Sequence, residues 1–342
     1  MNAAVTGGSG FFGGALVRAL RTRGDRVRAL VRREEAAADM RALGAEPLIG
    51  DLTHLDGCDR LVAEGDVVFH AAARVDMSGR WEKFQRTTID GTRGLLATAL
   101  PRRPQRFVYI SSAGVYAANA NQSAPCAERT PARPARHNFY GRAKLAAERL
   151  VQAECQRAAC PWTILRLGFL FGAGNRALFN HFVPLARLNR LFVIGSGDNR
   201  IATLYIDDAV RAAVLAGEAP AAAGKVYNVA SDERVTQRDF INATTDALDL
   251  PPCRRQIGRR LALLGAWLVD RVSNWANHES HISQAVVTLM STDQALDSGR
   301  IRAELGWRPE VSFEDGMRRT RQWYLRALVV PAVSACDQDP TG

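Results

Sequence analysis

The segment Thr6-Gly7-Gly8-Ser9-Gly10-Phe11-Phe12-Gly13 is the strongest indication of the fold in this 342-residue chain. It follows the strand-like stretch Ala3–Thr6 and opens a helix-like stretch at its first phenylalanine. The first glycine permits a tight turn, the second lets the backbone approach a diphosphate, and the third lets the helix pack close to the sheet. The helix N-terminus offers free N–H groups and a partial positive charge. The segment therefore predicts a dinucleotide-binding loop. Its predicted cofactor contacts are Gly7, Gly10, Phe11, Phe12 and Gly13.

Strand-like and helix-like segments alternate over the first half of the chain. The predicted strands are Ala3–Thr6, Arg26–Val31, Glu46–Gly50, Asp66–Phe69, Arg106–Ser111 and Trp162–Leu167, and the predicted helices are Phe11–Arg23, Glu34–Leu43, Trp81–Leu100 and Tyr140–Ala159. Such alternation predicts the α/β class, with a doubly wound parallel (Rossmann) sheet covered by helices on both faces.

A smaller, mostly helical C-terminal substrate lobe is expected beside this sheet. The Rossmann domain is predicted to comprise residues 1–170 and, after a return through Lys225–Val229, about 201–230. The lobe comprises residues 171–200 and 231–330, and residues 331–342 form a polar tail.

Composition narrows the class of protein. A hydrophobic fraction of 47% excludes a disordered chain. The net charge is +10, but the basic residues are nearly all scattered arginines without interleaved aromatic residues, so we expect no nucleic-acid partner. The N-terminus lacks a basic leader, which predicts a cytosolic protein. The six cysteines show no paired metal spacing, and His278 with His281 lacks an obvious third ligand, so we expect no metal.

The end of the second predicted strand bears on the choice of dinucleotide. An acidic residue there would bind the adenosine ribose and favour NAD. The position holds Val31 instead, followed by Arg32 and Arg33. An arginine matches a 2′-phosphate in both charge and geometry. The sequence therefore favours NADP(H), with NAD(H) as the alternative.

Tyr140 and Lys144 lie one helical turn apart and therefore share a helix face. A phenol with a pKa near 10 is a weak base at neutral pH, and a nearby ammonium is expected to lower that pKa. Such a pair can exchange a proton with an alcohol or ketone while hydride passes to or from nicotinamide. Ser112, at the carboxyl edge of the sheet, is predicted to hold the substrate oxygen, with Ser111 nearer the nicotinamide.

These features together resemble the extended short-chain dehydrogenase/reductase superfamily of NAD-dependent epimerase/dehydratase type, and within it the 3β-hydroxysteroid dehydrogenase-like branch most closely. The matching motifs run through nearly the whole chain: Thr6–Gly13, Gly50-Asp51-Leu52, His70-Ala71-Ala72-Ala73, Ser111–Tyr116, Tyr140–Lys144, Leu165-Arg166, Tyr205-Ile206-Asp207-Asp208, Tyr227-Asn228-Val229 and Leu305–Pro309.

The resemblance implies roles for particular residues. Ser112, Tyr140 and Lys144 would form the catalytic triad, and Ser111, Tyr140 and Lys144 are also among the predicted cofactor contacts. Asp51, with Leu52 beside it, would contact the adenine. Ala71, Ala72 and Ala73 would line the dinucleotide. The resemblance also implies a homodimer through the long helices Trp81–Leu100 and Tyr140–Ala159.

This chain departs from the superfamily pattern at one position and from its sugar-nucleotide enzymes at two more. Thr88 replaces the Asn of an N-V-x-G-T motif, which leaves an Asn-supported proton relay in doubt. Phe169 and Ile201 stand where sugar-nucleotide enzymes commonly carry an Asn and an Arg for the diphosphate. Phe169, Phe171, Phe179 and Phe182 suit either a hydrophobic substrate or the core of the lobe.

Two enzymatic functions therefore remain open. The favoured one is an NAD(P)-dependent oxidoreductase that interconverts a secondary alcohol and a ketone on a hydrophobic molecule. That molecule would be sterol-like, with or without decarboxylation, or a 3-oxo acid. The alternative is a sugar-nucleotide epimerase or dehydratase with tightly bound NAD. A dinucleotide-sensing protein would need the glycine loop but neither Tyr140 nor Lys144.

The segment 256–272, with basic residues beside apolar ones, either rests on a membrane surface or packs inside the lobe.

Overall fold

The computed structural model describes residues 1–54, 57–75, 79–119, 124–275 and 283–329. Within these ranges, seven parallel strands form one sheet: β1 Asn2–Thr6, β2 Arg26–Val31, β3 Glu46–Ile49, β4 Val67–His70, β5 Arg106–Ser112, β6 Trp162–Leu167 and β11 Lys225–Val229. Their spatial order in the sheet is β11-β6-β5-β4-β1-β2-β3. Because all strands run in the same direction, their carboxyl ends meet at one edge, where open α/β sheets bind ligands.

Helices cover both faces of the sheet. The helices of the described chain are α1 Phe11–Thr22, α2 Glu34–Ala42, α3 Cys58–Leu61, α4 Trp81–Phe84, α5 Gly91–Ala99, α6 Phe139–Arg157, α7 Arg176–Arg187, α8 Ile206–Glu218, α9 Gln237–Ala247, α10 Arg259–Trp275, α11 Gln284–Met290, α12 Gly299–Leu305 and α13 Phe313–Val329. Residues of α1, α2 and α8 pack in one hydrophobic core, and residues of α3, α5 and α6 pack in the core on the opposite face.

Short strand pairs accompany the helices that follow β6. The remaining strands are β7 Phe169–Phe171, β8 Val193–Ile194, β9 Arg200–Ile201, β10 Thr203–Tyr205, β12 Val235–Thr236 and β13 Gln256–Ile257. They pair as β7 with β10, β8 with β13, and β9 with β12. The mostly helical character predicted for residues 231–328 is confirmed in the described residues by α9 to α13.

The structure confirms the predicted fold class and the return of Lys225–Val229 to the sheet, where it pairs with β6. One prediction is wrong. The segment Trp81–Leu100 is not a single α-helix, because α4 passes into a π-helical segment, Gln85–Asp90, before α5 begins. Apolar periodicity does not distinguish a locally widened turn from a regular helix, so the sequence could not reveal it.

Among the described helices, none combines the length and hydrophobicity that a membrane span needs. Within the same described ranges, the His, Cys, Asp and Glu side chains form no group of three that could hold a metal ion. His278 and His281 lie outside the described residues.

Candidate active site

The glycine loop is a close-packed turn between β1 and α1. Gly7 has a φ of +75°, and a Cβ there would lie 2.9 Å from the Ala72 nitrogen. A Cβ at Gly13 would lie 2.1 Å from the Gly7 carbonyl oxygen, so the start of α1 tolerates no larger residue. Helix α1 begins without a side-chain cap and without an acidic residue in its first turn. Its free N–H groups therefore suit a diphosphate, and the loop fits a dinucleotide.

Two of the residues predicted to contact the cofactor have side chains in the core. Phe12 is buried with the apolar residues of α1 and β1, and Leu52 is buried on the opposite face of the sheet. Each can therefore reach a cofactor through its backbone only. Phe11 is only partly buried and lies against the turn at Gly174.

Arg32 and Asp51 lie where β2 and β3 end. Arg32 is exposed directly after β2, and Asp51 is partly buried two residues after β3. Burial alone would raise the pKa of the Asp51 carboxyl, but hydrogen bonds from the Thr53 amide and hydroxyl and the nearby Arg32 charge lower it overall. The carboxylate therefore stays ionised beside the guanidinium. This edge therefore presents one acceptor and one cation, as the predicted adenosine contact requires.

The end of β4 is linked to the glycine loop by a chain of hydrogen bonds. Both ring nitrogens of His70 are bonded, Nδ1 to the Thr6 hydroxyl at 2.7 Å and Nε2 to the Thr92 hydroxyl at 2.8 Å. Thr92 donates its own proton to the Thr88 carbonyl oxygen, so Nε2 donates to Thr92 and Nδ1 accepts from Thr6. Burial, with the Lys144 charge, lowers the pKa of His70 to about 3, which fixes this neutral form. The partly buried Ala71, Ala72 and Ala73 follow β4 and lie next to the glycine loop.

Ser112 and Tyr140 meet beside Gly114. A Cβ at Gly114 would lie 3.4 Å from the Ser112 hydroxyl oxygen and 3.5 Å from the Tyr140 ring carbon Cδ1. The two hydroxyl groups share a hydrogen bond that acts to lower the pKa of Tyr140. Both residues keep part of their surface accessible. Two hydroxyls at the carboxyl end of β5 therefore point to one place, as a pair that binds and protonates a carbonyl oxygen must.

The start of α6 is fixed on this turn by Asn138 and Gly141. The Asn138 side chain accepts from the Gly141 amide at 2.8 Å and donates to the Gly114 carbonyl at 3.0 Å. A Cβ at Gly141 would lie 2.4 Å from that same carbonyl oxygen. The Asn138 cap and the close contact of Gly141 with Gly114 together fix the position of Tyr140 relative to Ser112. The sequence analysis missed both residues, although an Asn two residues before a Tyr-x-x-x-Lys helix is a recognisable N-cap signal.

Lys144 is buried one turn further along α6. Its Nζ donates to the Ile110 carbonyl at 2.6 Å and lies 4.9 Å from the centroid of the Tyr109 ring. Burial lowers the pKa of Lys144 to about 7, and the Glu148 charge opposes that effect. The Lys144 side chain therefore gains or loses its proton near neutral pH, whereas an exposed lysine stays protonated there.

The expectation that Lys144 lowers the pKa of the Tyr140 phenol is wrong. Burial raises the pKa of Tyr140, and only the Ser112 hydrogen bond works against this. The physical reason is that Lys144 has lost part of its own charge to burial and directs Nζ at a backbone carbonyl. Tyr140 is therefore protonated at neutral pH, which is the form that can donate a proton.

Ser111 does not face the same side as Ser112. Its buried hydroxyl donates to Glu148 at 2.5 Å, and its predicted place nearer the nicotinamide stays a prediction. Successive residues of a strand point to opposite faces, and only one of two adjacent serines can face the site. Glu148 also receives the Arg166 guanidinium, with Nη2 at 2.7 Å and Nε at 3.0 Å.

The Glu148–Arg166 ion pair supports the strand ends under the candidate site. Both side chains are buried, and Arg166 also donates to the Tyr116 hydroxyl, which in turn bonds Asn228. Burial alone would lower the pKa of Arg166, but the bonds to Glu148 raise it overall, so the pair is ionised. The sequence analysis missed Glu148. Its position four residues after Lys144, on the buried face of an amphipathic helix, was the available signal.

Thr88 occupies the π-helical segment of the 81–100 region. It is buried, and its hydroxyl accepts from the Arg74 amide at 3.3 Å. The hydroxyl thus holds the chain after β4.

The aromatic residues that suited a hydrophobic substrate lie mainly in the core. Phe179 is buried against Trp323 and Tyr324, with ring centroids 5.6 and 5.5 Å away. Phe171 is buried beside Phe240 and Phe313. Phe169 and Phe182 remain partly exposed. Of the two interpretations that the sequence left open, the core interpretation holds for Phe171 and Phe179.

The parallel sheet, glycine loop and Ser-Tyr-Lys arrangement define a dinucleotide-dependent enzyme of the extended short-chain dehydrogenase/reductase type. Residues 3–230 match the NAD dependent epimerase/dehydratase family, and the chain belongs to this family.

Two relatives match along nearly the whole chain. A 4-hydroxy-2-methyl-3-oxo-4-farnesyl-3,4-dihydroquinoline-1-oxide ketoreductase of Stigmatella aurantiaca is 30% identical over 334 residues, covering 94% of this chain and 96% of the relative. A 2-alkyl-3-oxoalkanoate reductase of Stenotrophomonas maltophilia is 28% identical, covering 94% and 98%. The solved UDP-glucose 4-epimerase of Thermotoga maritima has a TM-score of 0.75 at 20% identity, covering 96% of this chain and all of that one, which shows the shared fold.

Proposed function

We propose that this enzyme reduces a ketone on a hydrophobic substrate, of the 3-oxo acid or cyclic ketone class, to a secondary alcohol. The observation that carries the proposal is the neutral Tyr140 phenol bonded to Ser112 beside Gly114. A phenol that carries its proton at neutral pH can give that proton to a carbonyl oxygen as hydride arrives, and the Ser112 hydrogen bond favours its ionisation. The two reductases that match along nearly their whole length, both acting on ketones by name, support this direction of reaction.

Each residue of the site has a separate role in the proposed reduction. A reduced nicotinamide, when bound, supplies the hydride. Ser112 donates a hydrogen bond to the substrate oxygen, and Tyr140 transfers its phenolic proton to that oxygen. The Ser112 hydrogen bond, which acts to lower the pKa of Tyr140, stabilises the phenolate that this transfer leaves. Because burial brings the pKa of Lys144 to about 7, the site loses one positive charge as the pH rises through that value, which disfavours the negative charge that hydride brings to the substrate oxygen.

The alternative is a sugar-nucleotide epimerase or dehydratase in which the hydride returns to the same molecule. The fold shared with a UDP-glucose 4-epimerase supports it. Against it stand Phe169, which is partly exposed after β6, and Ile201, which is buried. Neither side chain can bind a diphosphate as an Asn or Arg would.

The direct test is an assay with a 2-alkyl-3-oxo acid, an apolar cyclic ketone, a 3-oxosteroid and UDP-glucose. We expect consumption of one equivalent of reduced cofactor for each equivalent of alcohol formed from a ketone. Reduced nicotinamide absorbs in the near ultraviolet, and product analysis identifies the new alcohol. Conversion of UDP-glucose with no net cofactor consumption, together with no turnover of any ketone, would contradict the proposal and establish the alternative.

We propose that the enzyme prefers NADP(H) to NAD(H) because exposed Arg32 lies at the end of β2. The partner of its guanidinium would be the 2′-phosphate. We expect Arg32→Gln to lower kcat/KM for NADPH by about 10- to 100-fold, the usual effect of losing a charge-assisted hydrogen bond, and to leave NADH nearly unchanged. Steady-state kinetics with both cofactors measures this.

The matched control for that variant is Arg41→Gln, an exposed arginine of α2 that pairs with Glu34. It should leave both kcat/KM values unaltered. Equal kcat/KM for NADPH and NADH in the unaltered enzyme would refute the preference.

A homodimer and the two-lobe division remain predictions. Partly buried Trp81, Phe139, Ala146 and Leu150 surround the small core of Phe84, Ile89 and Ala143 between α4 and α6. These side chains supply the apolar area that a dimer through these helices would cover.

A further inference from the structure

Helix α10 carries an apolar stripe on the face turned away from the protein. Leu261, Leu264, Leu268 and Val272 are 61%, 55%, 52% and 63% exposed. Their spacing of three and four residues places them along one line of the helix, about 16 Å long at 1.5 Å per residue. Trp267, 41% exposed, lies at the border of the stripe. A soluble monomer rarely exposes so many large apolar side chains together, so the stripe indicates an interaction surface.

The opposite face of α10 is anchored in the protein. Ala262 and Ala266 are buried in a small core with Val287 of α11, and Ile257 of β13 packs against it. The Asp270 carboxylate accepts from the backbone and side chain of Gln284. The helix is therefore held in a fixed orientation that presents the stripe outward.

A second exposed apolar segment adjoins the start of α10. Leu188 and Phe192 are 62% and 42% exposed at the end of α7 and before β8. Strand β8 pairs with β13, which leads directly into α10. The Arg255 guanidinium lies 5.9 Å from the centroid of the Phe192 ring and links the two segments. We call residues 185–192 and 254–272 together the basic apolar surface.

The charge of this surface has one sign. Arginines 187, 190, 254, 255, 259, 260 and 271 are all exposed, and Asp270, already bonded to Gln284, is the acidic residue of these two segments. The Arg271 guanidinium lies 4.9 Å from the centroid of the Trp267 ring, which keeps a cation at the edge of the stripe. Exposed leucines and a tryptophan flanked by arginines are the composition of a helix that lies in a membrane interface.

We propose that the basic apolar surface binds the face of a bilayer that contains anionic lipids, with α10 parallel to the membrane plane. The leucines would enter the boundary between headgroups and acyl chains, and the arginines would contact lipid phosphates. A second copy of the chain fits less well. A two-fold interface would bring the same arginines of both copies together without acidic partners. The inference does not depend on the proposed reaction.

Flotation of the full-length protein with vesicles tests this proposal. We expect binding to phosphatidylcholine vesicles that contain phosphatidylglycerol, weak binding to phosphatidylcholine alone, and release as the salt concentration rises. Leu264→Glu/Leu268→Glu should lower the partition coefficient by about 100-fold or more, because two large apolar side chains leave the interface. The control Leu325→Glu alters a 41% exposed leucine of α13 and should bind like the unaltered protein.

A second variant guards against a folding defect. Arg259→Gln/Arg260→Gln keeps the apolar stripe. It should weaken binding to vesicles that contain phosphatidylglycerol and leave the weak binding to phosphatidylcholine vesicles unchanged. Absence of binding by the unaltered protein, or equal binding by the Leu264→Glu/Leu268→Glu variant, would overturn the proposal. The proposal would also be overturned if the unaltered protein bound no vesicles and formed a dimer in size-exclusion chromatography that the Leu264→Glu/Leu268→Glu variant converted to a monomer.

Discussion

Tyr140→Phe is expected to lower kcat for ketone reduction by about 100- to 10,000-fold, the usual contribution of a positioned proton donor. The change removes one oxygen and keeps the ring that lies beside Gly114. Dinucleotide binding should persist, because the glycine loop and the His70 chain do not involve this hydroxyl. Steady-state kinetics and cofactor binding measured on the same preparation separate the two effects.

Tyr324→Phe is the matched control, since Tyr324 is a buried tyrosine of α13 in the core around Phe179. It should retain activity. Full activity of the Tyr140→Phe variant would show that another group supplies the proton. The enzymatic role of the Ser112–Tyr140 pair would then have to be abandoned.

Glu148→Gln is expected to destabilise the fold by about 3–5 kcal/mol, because it leaves the buried Arg166 charge without its counterion. Both partners are buried, with side-chain exposures of 2% and 8%. The double variant Glu148→Leu/Arg166→Met should recover most of this loss, because neither buried charge remains. Denaturant unfolding measures the free energy of unfolding for all three proteins.

Glu154→Gln is the control on the same helix, because its partner Arg157 is 73% exposed. Exposed pairs contribute about 0–1 kcal/mol, so this variant should unfold like the unaltered protein. Equal stability of the Glu148→Gln and Glu154→Gln variants would contradict the role given to the buried pair.

A second readout of Glu148→Gln is the pH profile. Glu148 raises the pKa of Lys144 against the effect of burial, so its removal should lower that pKa below about 7. Lys144 is charged below its pKa and neutral above it. The fall in kcat/KM with rising pH should therefore move to lower pH in the variant, an effect that lost packing alone would not produce.

The order of strands and helices was readable from the sequence because burial imposes periodicity. Strands β2 and β6 begin and end at the predicted residues, since β2 alternates after the turn-forming Gly24-Asp25 and β6 is rich in strand-forming residues between Pro161 and Gly168. The glycine loop was equally readable, because close backbone approaches at Gly7 and Gly13 exclude other residues. The π-helical segment at Gln85–Asp90 was not, because it leaves no distinct apolar pattern.

The fold class, the loop that suits a dinucleotide and the candidate pair Tyr140 and Lys144 could be predicted from local spacing and from what each residue type can do. The different orientations of the two serines, the pairing of Glu148 with Arg166 and the raised pKa of the Tyr140 phenol became evident from the three-dimensional structure alone. These depend on which side chains become neighbours across strands and on how far each is removed from water. Burial changes the free energy of a charge according to its surroundings, and a linear sequence does not specify those surroundings.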